Sequence, residues 1–193
     1  TCFGTIIAIS FILTATILLF KNPILMLFGG SENTIAYAVD YITIYALGTI
    51  FVQTVLGLNP FITCQGFASV GMATTLIGAV LNIILDPIFI YLLNMGVKGA
   101  ALATVISQAV SCIWVLKFLT GKKTSLKIKK TNIVPDVKIA IGVMSLGISP
   151  FIMQSTESLI TVCFNSSLQS YGGDIAVGAM TILSSLMQFS NLP

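Results

Sequence analysis

Long apolar runs separated by short polar connectors organise this chain. A helix needs roughly 20 mostly apolar residues to cross a bilayer. Scanning at that length predicts six spans: 3–20, 36–65, 72–93, 99–119, 137–159 (extending to about 168) and 175–192. The connectors carry turn and capping chemistry. They are KNPILMLFGGSEN at 21–33, with Ser31 placed to cap the next helix, then QGFASVG at 65–71, NMGVKG at 94–99, TGKKTSLKIKKTNIVPD at 120–136 and SYGGD at 170–174. The runs are too long for the strands of a membrane barrel and lack their alternation. The predicted fold class is an all-α integral membrane protein.

Composition agrees. Hydrophobic residues make up 56% of the chain and charged residues 8%, against about 25% charged in a soluble domain; the mean hydropathy is +1.02. The chain opens and closes on apolar sequence without a basic leader, so it reads as a fragment whose ends lie in or near membrane segments. Cys2, Cys64, Cys112 and Cys163 are far apart in apolar runs, there is no histidine, and no CxxC pair occurs. Zinc and haem sites of the usual kinds are therefore not expected, and the cysteines read as small buried hydrophobes.

Charge sets the direction. Of nine cationic residues, Lys117, Lys122, Lys123, Lys127, Lys129, Lys130 and Lys138 crowd into one stretch. The positive-inside rule makes the 120–136 connector cytoplasmic and needs no nucleic-acid partner to explain it. Counting outward places NMGVKG, SYGGD and the 21–33 connector outside and QGFASVG inside. In the fourth span, Gly99, Ala103, Ser107 and Ser111 recur at helical spacing, a stripe suited to close helix packing.

The chemistry lies in polar residues placed where lipid would make them costly. Asp40 falls near the outer end of the second span, where water can solvate it. Asp86 is deeper, and a charged aspartate at mid-membrane costs about 2.5–3.5 kcal/mol on insertion scales. It therefore favours a bound proton or cation. Asn82 lies one turn earlier on the same face, and Pro87 has no N–H for the carbonyl of Ile83. Carboxylate, amide oxygen and freed carbonyl together suit a proton or a hard cation such as sodium. Asn59-Pro60 in the second span and Thr104 in the fourth offer further oxygens. A network that only holds helices together is the competing reading; the absence of a lysine deep in any span favours the functional one. Glu157, among Gln154, Thr156 and Ser158, reads equally as facing a wet cavity or as a polar helix contact.

The run NIILDPIFIYLLNMGVKGAALATVISQ resembles the multidrug and toxic compound extrusion (MATE) family of secondary transporters, as does LGISPFIMQSTESLITVCFNSSLQSYGGDIAVGAMTIL. The combination N-x-x-x-D-P with G-x-x-G-A-A-x-A-T carries the likeness. It implies twelve spans in two six-helix lobes, of which these six are the third to eighth. Residues 1–119 then belong to the N-terminal lobe, 120–136 form the cytoplasmic linker and 137–193 begin the C-terminal lobe. The resemblance makes Asn82 and Asp86 cation-coupling residues, with Asn59 and Thr104 their neighbours, and likens Glu157, with Gln154 beside it, to an acid of the seventh span. It implies a multi-pass protein of the cell membrane, monomeric when full length, with no cofactor and no metal beyond sodium at Asp86. The expected function is proton- or sodium-coupled antiport that exports amphipathic, often cationic, organic compounds and drugs. The alternative is a lipid-linked oligosaccharide flippase of the related superfamily, which would carry cationic residues inside its spans. An intramembrane enzyme would need paired aspartates, Ser–His or a metal motif, and none occurs in the sequence.

Overall fold

The computed structural model describes residues 2–31, 34–121, 124, 126 and 137–190. Most of the lysine-rich connector, and with it the expected division at 120–136, lies outside these residues. Among them every regular element is helical: α1 (Cys2–Leu27), α2 (Ile35–Leu47), α3 (Thr49–Cys64), α4 (Ala68–Pro87), a π-helical turn (Ile88–Leu92), α5 (Gly96–Thr120) and α6 (Val137–Ser190). Among the described residues four helices are long and apolar enough to cross a membrane, and α2 with α3, taken as one bent span, makes a fifth.

Two predicted boundaries are corrected, and a third connector narrows to a single residue. The second span is not one straight helix, because α2 and α3 meet at 55°. The break falls at Gly48, where a Cβ would lie 2.5 Å from a methyl of Val105. The first connector is partly helical: α1 kinks at Phe20 (φ −109°, ψ 17°) and runs on to Leu27. Pro23 then sits in the first turn of the restarted segment, where a missing N–H is tolerated. The fifth and sixth spans join in the 54-residue α6, broken only at Gly173 (φ 63°, ψ −165°). An unbroken helix of that length would run about 80 Å, far beyond a hydrocarbon core of about 30 Å, so the break at Gly173 is what makes two spans of it.

The chain forms two compact units, Thr1–Leu19 with Asp40–Ser145, and Phe20–Val39 with Leu146–Pro193. In the first unit, Leu58 and Ile62 of α3 pack on Val115 and Leu119 of α5, with Phe3 and Ile6 of α1 around them. Phe67 and Phe118 close the cluster edge to face at 5.2 Å. Gln65, just past α3, holds the root of the connector. Its Oε1 accepts from the Thr124 hydroxyl at 2.7 Å and the Leu126 N–H at 3.1 Å, while its Nε2 donates to the Phe61 carbonyl at 2.8 Å.

The small-residue stripe packs as expected. Gly99, Ala103, Ser107 and Ser111 are all buried, the Ser111 hydroxyl donates to the Thr74 carbonyl at 3.1 Å, and a Cβ on Gly78 would lie 2.8 Å from Ser111 Oγ. Other hydroxyls bond back to the preceding turn, as Ser107 does to Ala103 O at 2.8 Å and Thr74 to Val70 O at 3.0 Å, which satisfies them without water. The cysteine expectation is half corrected: all four thiols are free, but only Cys112 is buried, while Cys64 and Cys163 are exposed. In a membrane chain an exposed apolar face is one that lipid or further helices cover, so burial against this segment was the wrong test of their character.

In the second unit, Ser31 caps α2 as predicted. Its carbonyl accepts from the N–H groups of Thr34 and Ile35 at 3.1 and 2.9 Å. Ser31 N donates to Thr34 Oγ1 at 3.1 Å while Thr34 N donates to Ser31 Oγ at 3.3 Å, a reciprocal box.

Candidate functional site: a polar cluster and cavity on α3, α4 and α5

Local geometry brings α4 and α5 side by side. Pro87 ends the α-helical register of α4, and the next five residues relax into a π turn in which Leu93 N donates to Ile88 O at 3.0 Å. Asn94 (φ 51°) and Gly96 (φ 53°) then reverse the chain in left-handed conformations that Asn and Gly adopt most readily. Gly99 meets the π turn so closely that a Cβ would lie 2.8 Å from the Phe89 carbonyl. The returning α5 carries Thr104 opposite Asn82.

Asn82, Asp86 and Thr104 come together. Asn82 Nδ2 donates to Asp86 Oδ1 at 3.2 Å and to Thr104 Oγ1 at 3.4 Å. An amide nitrogen has two hydrogens, so both bonds form at once. The Thr104 hydroxyl gives its own hydrogen to Ala100 O at 2.9 Å. Every donor in the trio is thus committed, while Asn82 Oδ1 and the second carboxylate oxygen of Asp86 accept nothing among the described residues. Oxygen lone pairs without donors are what an arriving proton or hard cation uses.

Asn59 stands apart from this trio but shares a cavity with two of its members. A space of about 700 Å³ is lined by Asn59, Thr74, Asn82, Thr104, Gln108 and Ser111 among others, and Asp86 is not on its wall. Asn59 Nδ2 donates to Gly71 O at 3.3 Å, whereas its buried Oδ1 has no hydrogen-bond partner among the described residues. Gln108 and the Thr74–Thr75 pair were not singled out from sequence. Only knowledge of which face of each helix turns inward could have selected them.

Gln154 and Glu157 lie in the second unit, on an exposed face of α6, where Gln154 Nε2 donates to Glu157 Oε2 at 3.2 Å. They form a polar pair of their own. Asp40 pairs with Lys98 at 3.4 Å, both about half exposed, which fits a solvated residue at a span end. Among the described residues no group of three or more His, Cys, Asp or Glu side chains gathers, so no transition-metal ligand set is assembled there.

Comparisons with known proteins fit this arrangement. A MatE family model matches residues 1–88. The multidrug export protein MepA of Staphylococcus haemolyticus (strain JCSC1435) is 29% identical over 186 residues, covering 96% of this chain and 41% of that protein. MepA of Staphylococcus aureus (strain NCTC 8325 / PS 47) is 27% identical over the same length. Among solved structures, the MATE multidrug transporter DinF-BH superposes with a TM-score of 0.86 and 34% identity, over 97% of this chain and 43% of that one. An inward-facing multidrug resistance MATE family transporter of the MOP superfamily gives 0.85 and 26%, over 93% and 41%. The chain spans about two-fifths of the length of these relatives.

Proposed function

We propose that the chain is part of a MATE-family carrier, a multi-pass membrane transporter rather than an enzyme, driven by an ion gradient without a cofactor, and within that reading a proton- or sodium-coupled antiporter exporting amphipathic organic cations and drugs. Asp86 is the coupling carboxylate in this reading, Asn82 and Thr104 are its neutral oxygen partners, and Asn59 with Gln108 lines the adjoining cavity. The observation that carries it is the trio of Asn82, Asp86 and Thr104, with committed donors and open lone pairs, beside a cavity large enough for a small organic molecule. The relatives' description as multidrug export proteins supports the cargo class.

The mechanism follows from the two states of one carboxylate. A charged Asp86 accepts from Asn82 and attracts a cation. A neutralised Asp86, by proton or by sodium, loses that attraction and relaxes its hold on Asn82, which also touches Thr104 on α5. A ligand shifts a conformational equilibrium only by binding the two states unequally, and neutralising a carboxylate beside a proline-terminated helix supplies such a difference.

The test is export by the full-length carrier in vesicles under imposed proton or sodium gradients. Parent protein responds to one of them; Asp86→Asn, which nearly preserves shape, loses the response while its melting temperature holds. Normal gradient-driven export by folded Asp86→Asn removes Asp86 from the coupling role.

A further inference from the structure

We propose that Ser31 and Asp174 form a reversible latch on the outer face of the carrier, closed when that face is shut and broken when it opens. The two residues lie 143 positions apart, yet Ser31 Oγ donates to Asp174 Oδ2 at 3.1 Å. The other carboxylate oxygen, Oδ1, accepts from Gln169 Nε2 at 3.0 Å, so Asp174 is aimed from one side and engaged from the other. Both residues belong to the same compact unit, which joins Phe20–Val39 to Leu146–Pro193.

The backbone around each partner is built for the approach. Gly29 holds φ +90°, and a Cβ there would lie 3.1 Å from the Asn165 carbonyl oxygen and 3.1 Å from its Cβ. Gly173, at φ 63° and ψ −165°, occupies a region open almost only to glycine; the helix breaks there and Asp174 follows at once. Ser31 is held by its box with Thr34, so its hydroxyl is presented by a fixed cap. Two glycine-only conformations, one on each side of a single charge-assisted hydrogen bond, make a specific contact from short polar residues. The bond is exposed to water and therefore weak enough to break in each cycle.

The assignment as a latch rests on the two-lobe antiporter reading and the outer placement of both turns. In that reading, Ser31 follows the first span of the segment, in the N-terminal lobe, and Asp174 sits between the last two, in the C-terminal lobe. A contact between lobes at the outer surface exists only while that surface is closed.

The experiment uses the full-length carrier with its cysteines replaced, carrying Ser31→Cys and Asp174→Cys together. A short membrane-impermeant bifunctional thiosulfonate is applied from outside, and export is followed down the substrate's own gradient, so the readout does not depend on Asp86. Bridging is expected from outside, with export halted and then restored by a reductant. A bridged carrier exporting at the unbridged rate makes the contact a fixed strut. Failure to bridge while each single cysteine labels, or bridging only from inside, also overturns the proposal. A second measurement guards against a misfolded cap variant: a cysteine at Thr75 on the cavity wall reports outer opening. Ser31→Ala should raise its labelling from outside roughly 2- to 13-fold, the range of one modest hydrogen bond, and Ser31→Thr should return it to the parent rate. Equal labelling in Ser31→Ala and parent would also sink the latch.

Discussion

Asn82 stands one helical turn before Asp86 and donates to its carboxylate at 3.2 Å, with the other hydrogen of the same amide turned to Thr104 on the facing helix. The amide therefore ties the orientation of the carboxylate to the position of α5. Removing either neutral partner should weaken coupling without abolishing it. Asn82→Ala and Thr104→Ala each remove a contact worth about 0.5–1.5 kcal/mol, a loss of about 2- to 13-fold in apparent affinity for the driving cation. Gradient-driven export measured against cation concentration checks this. A loss as complete as that of Asp86→Asn would mean that the neutral partners are more than auxiliary.

Two aspartates in the same unit should behave oppositely. Asp40 meets Lys98 at 3.4 Å with both side chains about half exposed, and exposed pairs contribute about 0–1 kcal/mol. Asp40→Asn should shift the melting temperature of the full-length carrier by no more than a degree or two and leave gradient coupling intact. Lost coupling with a normal melting curve would move Asp40 into the functional set.

Gly99 should resist even alanine. In a helix, alanine is ordinarily favoured over glycine by about 1 kcal/mol, yet a Cβ at Gly99 would press to 2.8 Å on the Phe89 backbone, which has no rotamer to change. Gly99→Ala should therefore destabilise by about 1–3 kcal/mol, read as an earlier thermal transition and a weakened response to the driving cation, because the same turn sets Thr104 against Asn82. Gly78→Ala, whose Cβ would meet the movable Ser111 hydroxyl, should cost less.

Orientation is open to direct labelling. A cysteine introduced at Lys123 should react with an impermeant maleimide only from the cytoplasmic side, and one at Gly172 only from outside. The reverse pattern would overturn the orientation and the inter-lobe linker together.

Fold class and span positions were legible because lipid imposes one strong rule, apolar stretches of bilayer length, and this chain obeys it throughout. The bends were not. The span breaks at Gly48, where a Cβ would press on Val105, a tertiary closeness that nothing in the surrounding residues announces. The pairing of Asn82 with Asp86 was legible because four-residue spacing fixes a shared helix face. Thr104 was legible only as a further oxygen on a neighbouring span; its pairing with Asn82 was not, since only the turn at Asn94 and Gly96 decides which residue of α5 comes opposite. The exposed cysteines show the reverse lesson: apolar neighbours in sequence imply an apolar surrounding, but not whether this chain provides it.

Gln65 has a consequence for reach. The connector after α5 would run free from Thr120 if only covalent bonds held it, and a fully stretched chain covers about 3.3–3.6 Å per residue. From Thr120 to Val137 that allows a tether of roughly 60 Å. By gripping both Thr124 and Leu126, Gln65 moves the point of suspension onto the end of α3, and what then remains before Val137 stretches to roughly 40 Å. One amide side chain shortens the leash by about a third, and any pull along it is delivered to α3 as well as to α5.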